Sequence, residues 1–201
     1  MNRITENLVS LKQAAAETPA GAGPRPADGF VSQFTMKDGA EVTLRPIRPD
    51  DEPLMATFHQ TLSDRTVYMR YFCSLSLRSR VAHERLVRVC HPDRDREVAL
   101  VADRTDKATG QHQILGVARL IKLDAPNECE TAVLVSDRHQ KQGLGTELVR
   151  RMLQIARDQK VCRVSADLLR DNIAMLAIVK KLGFRFRLRP DSPSISAFLE
   201  L

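Results

Sequence analysis

The chain has 201 residues, 43% of them hydrophobic, with a net charge of +6 and no Trp. That length suits one domain plus a tail and buries a core without staples; the apolar content excludes a disordered chain, and the scarcity of aromatics argues against a site of stacked rings. Lys and Arg are scattered among acidic neighbours, which reads either as a solvated Arg-rich surface or as attraction to an anionic partner; with no recognition helix, zinc-finger spacing or aromatic–basic pattern, no nucleic-acid partner is expected.

Met1–Gln13 reads as a frayed tail or as a short amphipathic docking helix with Ile4, Leu8 and Leu11 on one side. Ala14–Gly29 is rich in Ala, Gly and Pro and reads as a flexible linker. Residues 1–33 are therefore assigned to a tail and 34–201 to one domain. Phe34–Met36 and Val42–Leu44, joined through Asp38-Gly39, predict a hairpin. Asp50-Asp51-Glu52 put negative charge at a helix start. Ser63-Asp64 open a second helix, and Ser79–Cys90 read as a third. Strands follow at Glu97–Asp103, Gln113–Leu123 and Glu130–Val135, joined by short turns and so antiparallel. A helix is expected from Gly145 to Gln159, a strand at Val161–Leu168, a helix at Asn172–Leu182 ended by Gly183, and final strands at Phe184–Leu188 and Ile195–Leu201. The helical crossover between Glu130–Val135 and Val161–Leu168 makes those two strands a parallel pair. The fold class is α+β, a mostly antiparallel mixed sheet with helices packed on it.

Cys73, Cys90, Cys129 and Cys162 form no CxxC pair and fit neither a zinc site nor a disulfide framework. Reduced thiols and no metal are expected. No signal peptide or long apolar run is recognised, so a soluble cytoplasmic protein without a membrane partner is expected.

The most informative stretch is Val133 to Thr146. A Val-rich strand ends, a basic loop follows, and Gly143 and Gly145 lead into a helix. Helix starts carry unpaired N–H groups and partial positive charge, and glycines let a ligand approach the backbone. Together these suit a pyrophosphate; Arg138, His139, Gln140 and Lys141 add donors. Tight helix packing alone is the competing explanation of the glycines. A Walker A loop would need Lys-Ser/Thr after Gly145, where Thr146-Glu147 stand, and a dinucleotide fingerprint would need a third glycine at Leu148.

Gln140-x-x-Gly143-x-Gly145 resembles the coenzyme A pyrophosphate loop of the GNAT superfamily of N-acyltransferases, and the Asn172–Phe184 segment is similar to that family's second signature, an Asn-initiated helix ending in Gly-Phe. Leu44–Leu54 and Leu62–Phe72 resemble the acetyltransferase domain of bacterial protein lysine acetyltransferases. The resemblance covers about Val42 to Leu201. It implies a single GNAT-like domain with helices on both faces of the sheet and the parallel strand pair at the acyl-CoA site.

The resemblance further implies acetyl-CoA as co-substrate, held by Val133, Leu134, Val135, Gln140, Lys141, Gln142, Gly143, Leu144, Gly145, Thr146, Asn172 and Met175. It implies transfer of the acetyl group to an amine, the lysine of a protein substrate such as an acyl-CoA synthetase. Glu130, fifteen residues before Gly145, takes the family's catalytic glutamate as general base; a solvent-facing strand residue is the plainer alternative, and Glu128 on the same strand face is the reserve. Asn172 also suits a helix cap. Tyr68, Arg70 and Tyr71 border the acceptor groove in the family layout, or pack in the core. Many family members carry a Tyr acid seven residues after the Asn, where this chain has Val179, so the leaving thiolate has no such donor. Cys129 or Cys162 as a covalent nucleophile is set aside, since direct transfer needs no intermediate. A small-molecule amine acetyltransferase and a non-catalytic acyl-CoA sensor are the alternative functions. The oligomeric state is left open.

Overall fold

The computed structural model describes residues 30–188 and 192–201. The segments Met1–Gln13 and Ala14–Gly29, read above as tail and linker, lie outside the described residues. The hairpin forms from Ser32–Thr35 (β1) and Glu41–Pro46 (β2), with Gly39 supplying φ +83° at its turn. Four helices follow: Glu52–Gln60 (α1), Asp64–Tyr71 (α2), Leu77–Arg80 (α3) and His83–Cys90 (α4). Then come Glu97–Thr105 (β3), His112–Lys122 (β4) and Glu128–Val135 (β5). Leu144–Asp158 (α5), Arg163–Leu169 (β6), Ile173–Lys181 (α6), Arg185–Leu188 (β7) and Ser194–Glu200 (β8) complete the chain.

The strands make one eight-stranded sheet in the order β1-β2-β3-β4-β5-β6-β8-β7. All neighbours are antiparallel except β5 and β6, which run parallel across the α5 crossover. Period-two alternation sorts the side chains into two cores. Ala99, Val101, Ile114, Val117 and Leu134 face Met55 and Phe58 of α1, Val67 of α2 and Leu86 of α4. Leu100, Leu115, Ala118, Val133 and Val164 face α5 and Val179 of α6. Burial on both faces is why the central strands read as continuous apolar runs.

Helix α5 holds the second core. Leu148, Val149, Met152, Ile155 and Ala156 keep helical spacing and are all within 1% of complete burial; each large side chain so buried contributes about 1.5–3 kcal/mol. Two departures from the expected elements stand out. The single helix read over Ser79–Cys90 is two helices, because Ala82 is extended (φ −59°, ψ 130°); the break lets buried Arg80 donate to the carbonyls of His59 and Leu62 at 3.4 and 3.3 Å. The last strand, β8, inserts between β6 and β7. It buries Ala197 and Ser194, whereas all four residues of β7 are exposed, so the Arg-rich strand takes the edge.

Beneath the first helices lies a buried ion network. Arg45 on β2 donates to Asp51 at 2.7 and 2.8 Å and to Asp103 on β3 at 2.9 Å. Burial works against the guanidinium's charge, but hydrogen bonds to Asp51 and Asp103 outweigh it and raise its pKa above the ordinary value. Asp51 also accepts from the Arg48 amide at 2.8 Å, which fixes where α1 leaves the sheet.

Candidate active site

The parallel pairing of β5 and β6 covers only Glu128↔Arg163, Cys129↔Val164 and Glu130↔Ser165. Beyond Glu130 the strands part, and a seam opens in the middle of the sheet. The Leu123 amide donates to Glu128 O and the Ser136 amide to Leu115 O, both at 2.9 Å. Even-numbered residues of β5 therefore spend their backbone groups on β4, and the odd-numbered Val133 and Val135 turn theirs to the seam. These two present their amides to the seam. Leu134, assigned with them from the sequence, has its amide on the β4 side and its side chain in the opposite core.

At the far end of the seam sits the glycine loop. Gly143, the N-cap of α5, has φ +89°, and no side chain caps the helix. The amides of Leu144, Gly145 and Thr146 head the helix without intrahelical acceptors. A Cβ on Gly145 would come within 3.3 Å of Ile178 and 3.8 Å of Val135, so this glycine serves close packing of α5 on the seam as well as ligand access. Leu144 anchors the turn in the core at 1% exposure. Lys141 is exposed, at φ +62°. Gln142 uses its carbonyl to accept from the Lys37 amide at 3.1 Å, tying the loop to the first hairpin.

Gln140 bonds within the protein. Its side-chain amide donates to Thr66 Oγ1 at 3.2 Å and to Val135 O at 3.3 Å. Asp137, unremarked in the sequence, accepts from the Ser63 amide at 2.9 Å, Ser63 Oγ at 2.8 Å and Thr66 Oγ1 at 2.8 Å. Desolvation pushes its pKa up, but these hydrogen bonds prevail and hold it below the ordinary carboxylate value. Gln140 and Asp137 thus lash the loop to the start of α2. His139 is kept neutral further into acid by burial and by Arg104 and Arg138, against Asp38.

The other end of α2 faces a cleft of about 350 Å³, counted out to its open mouth. Arg70 and Tyr71 line it, with Met55, Phe58 and His59 of α1, Val117 and Arg119 of β4, and Ala132 and Leu134 of β5. Tyr68 is exposed on the surface and is not among the lining residues. Arg119 is fixed by Glu97 and by Val89 O at 2.7 Å. His59 is 2% exposed and its Nδ1 has no hydrogen-bond partner. Burial, with the charges of Arg85, Arg80 and Arg119, lowers its pKa to about 4, so it is neutral near pH 7.

Glu130 occupies the last rung before the seam, opposite Ser165 and Ile121. It is half-buried. By strand alternation its side chain shares the face of Ala132 and Leu134, which line the cleft. A carboxylate thus stands where seam and cleft meet. Glu128 has the same face, and its oxygen accepts from Arg163 at 2.9 Å. Across the seam, Asn172 Oδ1 accepts from the Met175 amide at 3.2 Å and caps α6, leaving its NH₂ as a donor. Met175 is half-buried against the α5 core. Val179 is fully buried, so no proton donor stands there. Burial raises the Cys129 thiol, against Lys122, and pushes Cys90 up to about 11; neither is a poised nucleophile. Among the described residues no group of three His, Cys, Asp or Glu is placed to hold a metal ion, and no helix is long and apolar enough to cross a membrane.

His59, Arg119 and Asp137 were invisible as site residues in the sequence. His59 sits four residues after Met55 on the buried stripe of α1; a histidine on an apolar stripe is the one signal that was there.

A family model described as an acetyltransferase (GNAT) domain matches residues 41–185. The chain belongs to the GNAT acetyltransferases. Among curated proteins it is 26% identical over 157 residues to acetyltransferase PA5475 of Pseudomonas aeruginosa, covering 78% of this chain and 82% of that one. Among solved structures, the GNAT domain of S. lividans PAT superposes with a TM-score of 0.75 at 24% identity, over 92% of this chain and all of the other. Mycobacterium smegmatis RimJ in complex with CoA-disulfide gives a TM-score of 0.65 at 16% identity, over 85% and 86% of the two chains. At these identities the two structures speak for the fold. GNAT relatives bind acetyl-CoA or CoA as co-substrate, and acetyl-CoA is the acyl donor of this acetyltransferase.

Proposed function

We propose that this acetyltransferase modifies the ε-amine of lysine side chains in proteins, by direct transfer from acetyl-CoA with Glu130 as general base. The observation that carries the reading is the place of Glu130, on the last rung before the seam and on the cleft face. The donor's pantetheine arm lies along β5, bonded to the Val133 and Val135 amides, and its pyrophosphate meets the head of α5. The lysine enters from the cleft. Glu130 takes a proton from the ammonium, directly or through water. The amine nitrogen then bonds to the thioester carbon, the seam amides stabilise the oxyanion, the nitrogen releases its second proton to water, and the C–S bond breaks as the carbonyl re-forms. With valine at 179 the departing thiolate takes its proton from solvent. The acceptor class is supported by the likeness of Leu44–Leu54 and Leu62–Phe72 to protein lysine acetyltransferases. Those segments hold the Arg45–Asp51 anchor and α2, the cleft's own wall.

Glu130→Gln is expected to lower kcat by about 100- to 10,000-fold while acetyl-CoA affinity, read by calorimetry, is kept. Unchanged turnover with bound donor sinks the base assignment. Incubation of the protein with labelled acetyl-CoA and cell extract reads the acceptor. Label in proteins supports lysine; label only in a small amine moves the acceptor to a metabolite; donor binding with no transfer points to a sensor.

A further inference from the structure

The cleft carries more positive charge than its framework uses. Arg119 is matched by Glu97, and Arg80 lies 3.5 Å from Asp64. Arg70 and Arg85 each lie 5.1 Å from the centre of the Tyr71 ring, and among the described residues neither has a carboxylate within ion-pair distance. Among the described residues Arg85 Nε is buried without a hydrogen-bond partner. Two guanidinium groups on one ring repel each other, and buried donors left unbonded are costly. Arg70 and Tyr71 line the cleft, and Arg85, outside that lining, lies over the same ring, so the deficit borders the place where the acceptor enters. A protonated amine arriving alone meets like charge. An amine accompanied by an anion brings the missing partner, and guanidinium pairs are well matched to a carboxylate.

We infer that the acceptor carries a carboxylate next to its reacting amine: in the proposed reaction, an Asp or Glu beside the target lysine in the protein chain. The identity of the amine rests on the lysine reading above; the anion rests on Arg70, Arg85 and the cleft. The carboxylate bridges the Tyr71-bound guanidinium groups, lowering the repulsion felt by the lysine and leaving its amine toward Glu130. The two charges of the acceptor thus meet opposite charges in the cleft.

The test uses the full chain saturated with CoA. Short lysine peptides carrying Glu, Gln or Arg beside the lysine are titrated calorimetrically, and kcat/KM is measured with acetyl-CoA. The Glu peptide is expected to bind about tenfold more tightly than the Gln peptide, with the Arg peptide weakest. In Arg70→Gln/Arg85→Gln the Glu-to-Gln ratio is expected to fall to about twofold or less, and in Arg70→Glu/Arg85→Glu the order reverses. CoA affinity of each variant checks that it is folded, and Arg70→Gln alone stands in where a double variant is not. Equal affinity for the three peptides, or an unchanged order in the Gln variants, overturns the inference. Where no peptide binds, free lysine and cadaverine, which differ by the carboxylate, decide. Preference for lysine upholds the anion and sinks the protein acceptor, whereas equal or absent binding overturns the anion too.

Discussion

The donor seam and the acceptor cleft share β5 but are built from different material. The seam side presents backbone: Val133 and Val135 amides on a strand edge and the first amides of α5. The cleft side presents side chains drawn from residues 55 to 134, on three helices and two strands. A backbone site constrains conformation and packing more than side-chain identity; a side-chain site can change its preference by single substitutions. The cofactor end of the molecule should therefore be brittle to glycine changes, and the acceptor end tunable.

The largest effect that tests this contrast is expected at Gly145. Gly145→Val pushes a branched side chain into Ile178 and Val135 and displaces the α5 amides. The KM for acetyl-CoA should rise by about 100-fold, from loss of one or two charge-assisted hydrogen bonds, with the acceptor KM little changed. A matched rise in both would make the two regions one. Next is the acid behaviour of the cleft. His59 has its pKa lowered in the fold, from the ordinary 6.5 to about 4. The unfolded chain therefore binds the extra proton between those values, and stability is full above 6.5 and falls as pH drops toward 4. The loss is about 3 kcal/mol. In His59→Leu this slope should be absent from denaturant titrations run between pH 7 and pH 4. Smaller still is Asp137→Asn, which keeps the side chain's shape but weakens its bonds to Ser63 and Thr66. It should cost about 1–2 kcal/mol in stability and raise both KM values by a few-fold, since Asp137 joins the donor loop to the helix that bears Arg70 and Tyr71. A change confined to one substrate would show that α2 and the loop move independently.

The same contrast explains how much could be read from the chain. The seam's parts are local: a strand, a loop and a glycine-led helix lie within Glu128–Asp158, and spacing alone orders them. The parallel crossover was legible for the same reason, as were the hairpin at Asp38-Gly39 and the helix closed by Gly183. The cleft unites residues such as His59 and Arg119, remote in sequence, so their proximity is a tertiary fact with no periodicity to announce it. The partners of the Gln140 side chain within the protein are not legible locally: Thr66 and Val135 O become its neighbours only when α2 folds against the loop. The helix break at Ala82 likewise follows from Arg80 turning inward to the end of α1, which local propensity does not contain. The insertion of β8 inside β7 depends on which strand buries Ala197, a choice made against β6.

The seam has a consequence for the molecule's cohesion. Three rungs join a sheet half of β1 to β5 to a half of β6, β8 and β7; bonds at the Asn127–Glu128 end and helices packed across the gap add to the join. The C-terminal half is thus a candidate cooperative opening unit, weaker than the whole. In the binding mode proposed above, acetyl-CoA in the gap would act as a missing strand and stitch the halves together. At about 100 times its dissociation constant a ligand adds about 2.7 kcal/mol to the folded state. The donor is then a structural part of the sheet between turnovers, and slow hydrogen exchange in Arg163–Leu169 should rise and fall with the acetyl-CoA level.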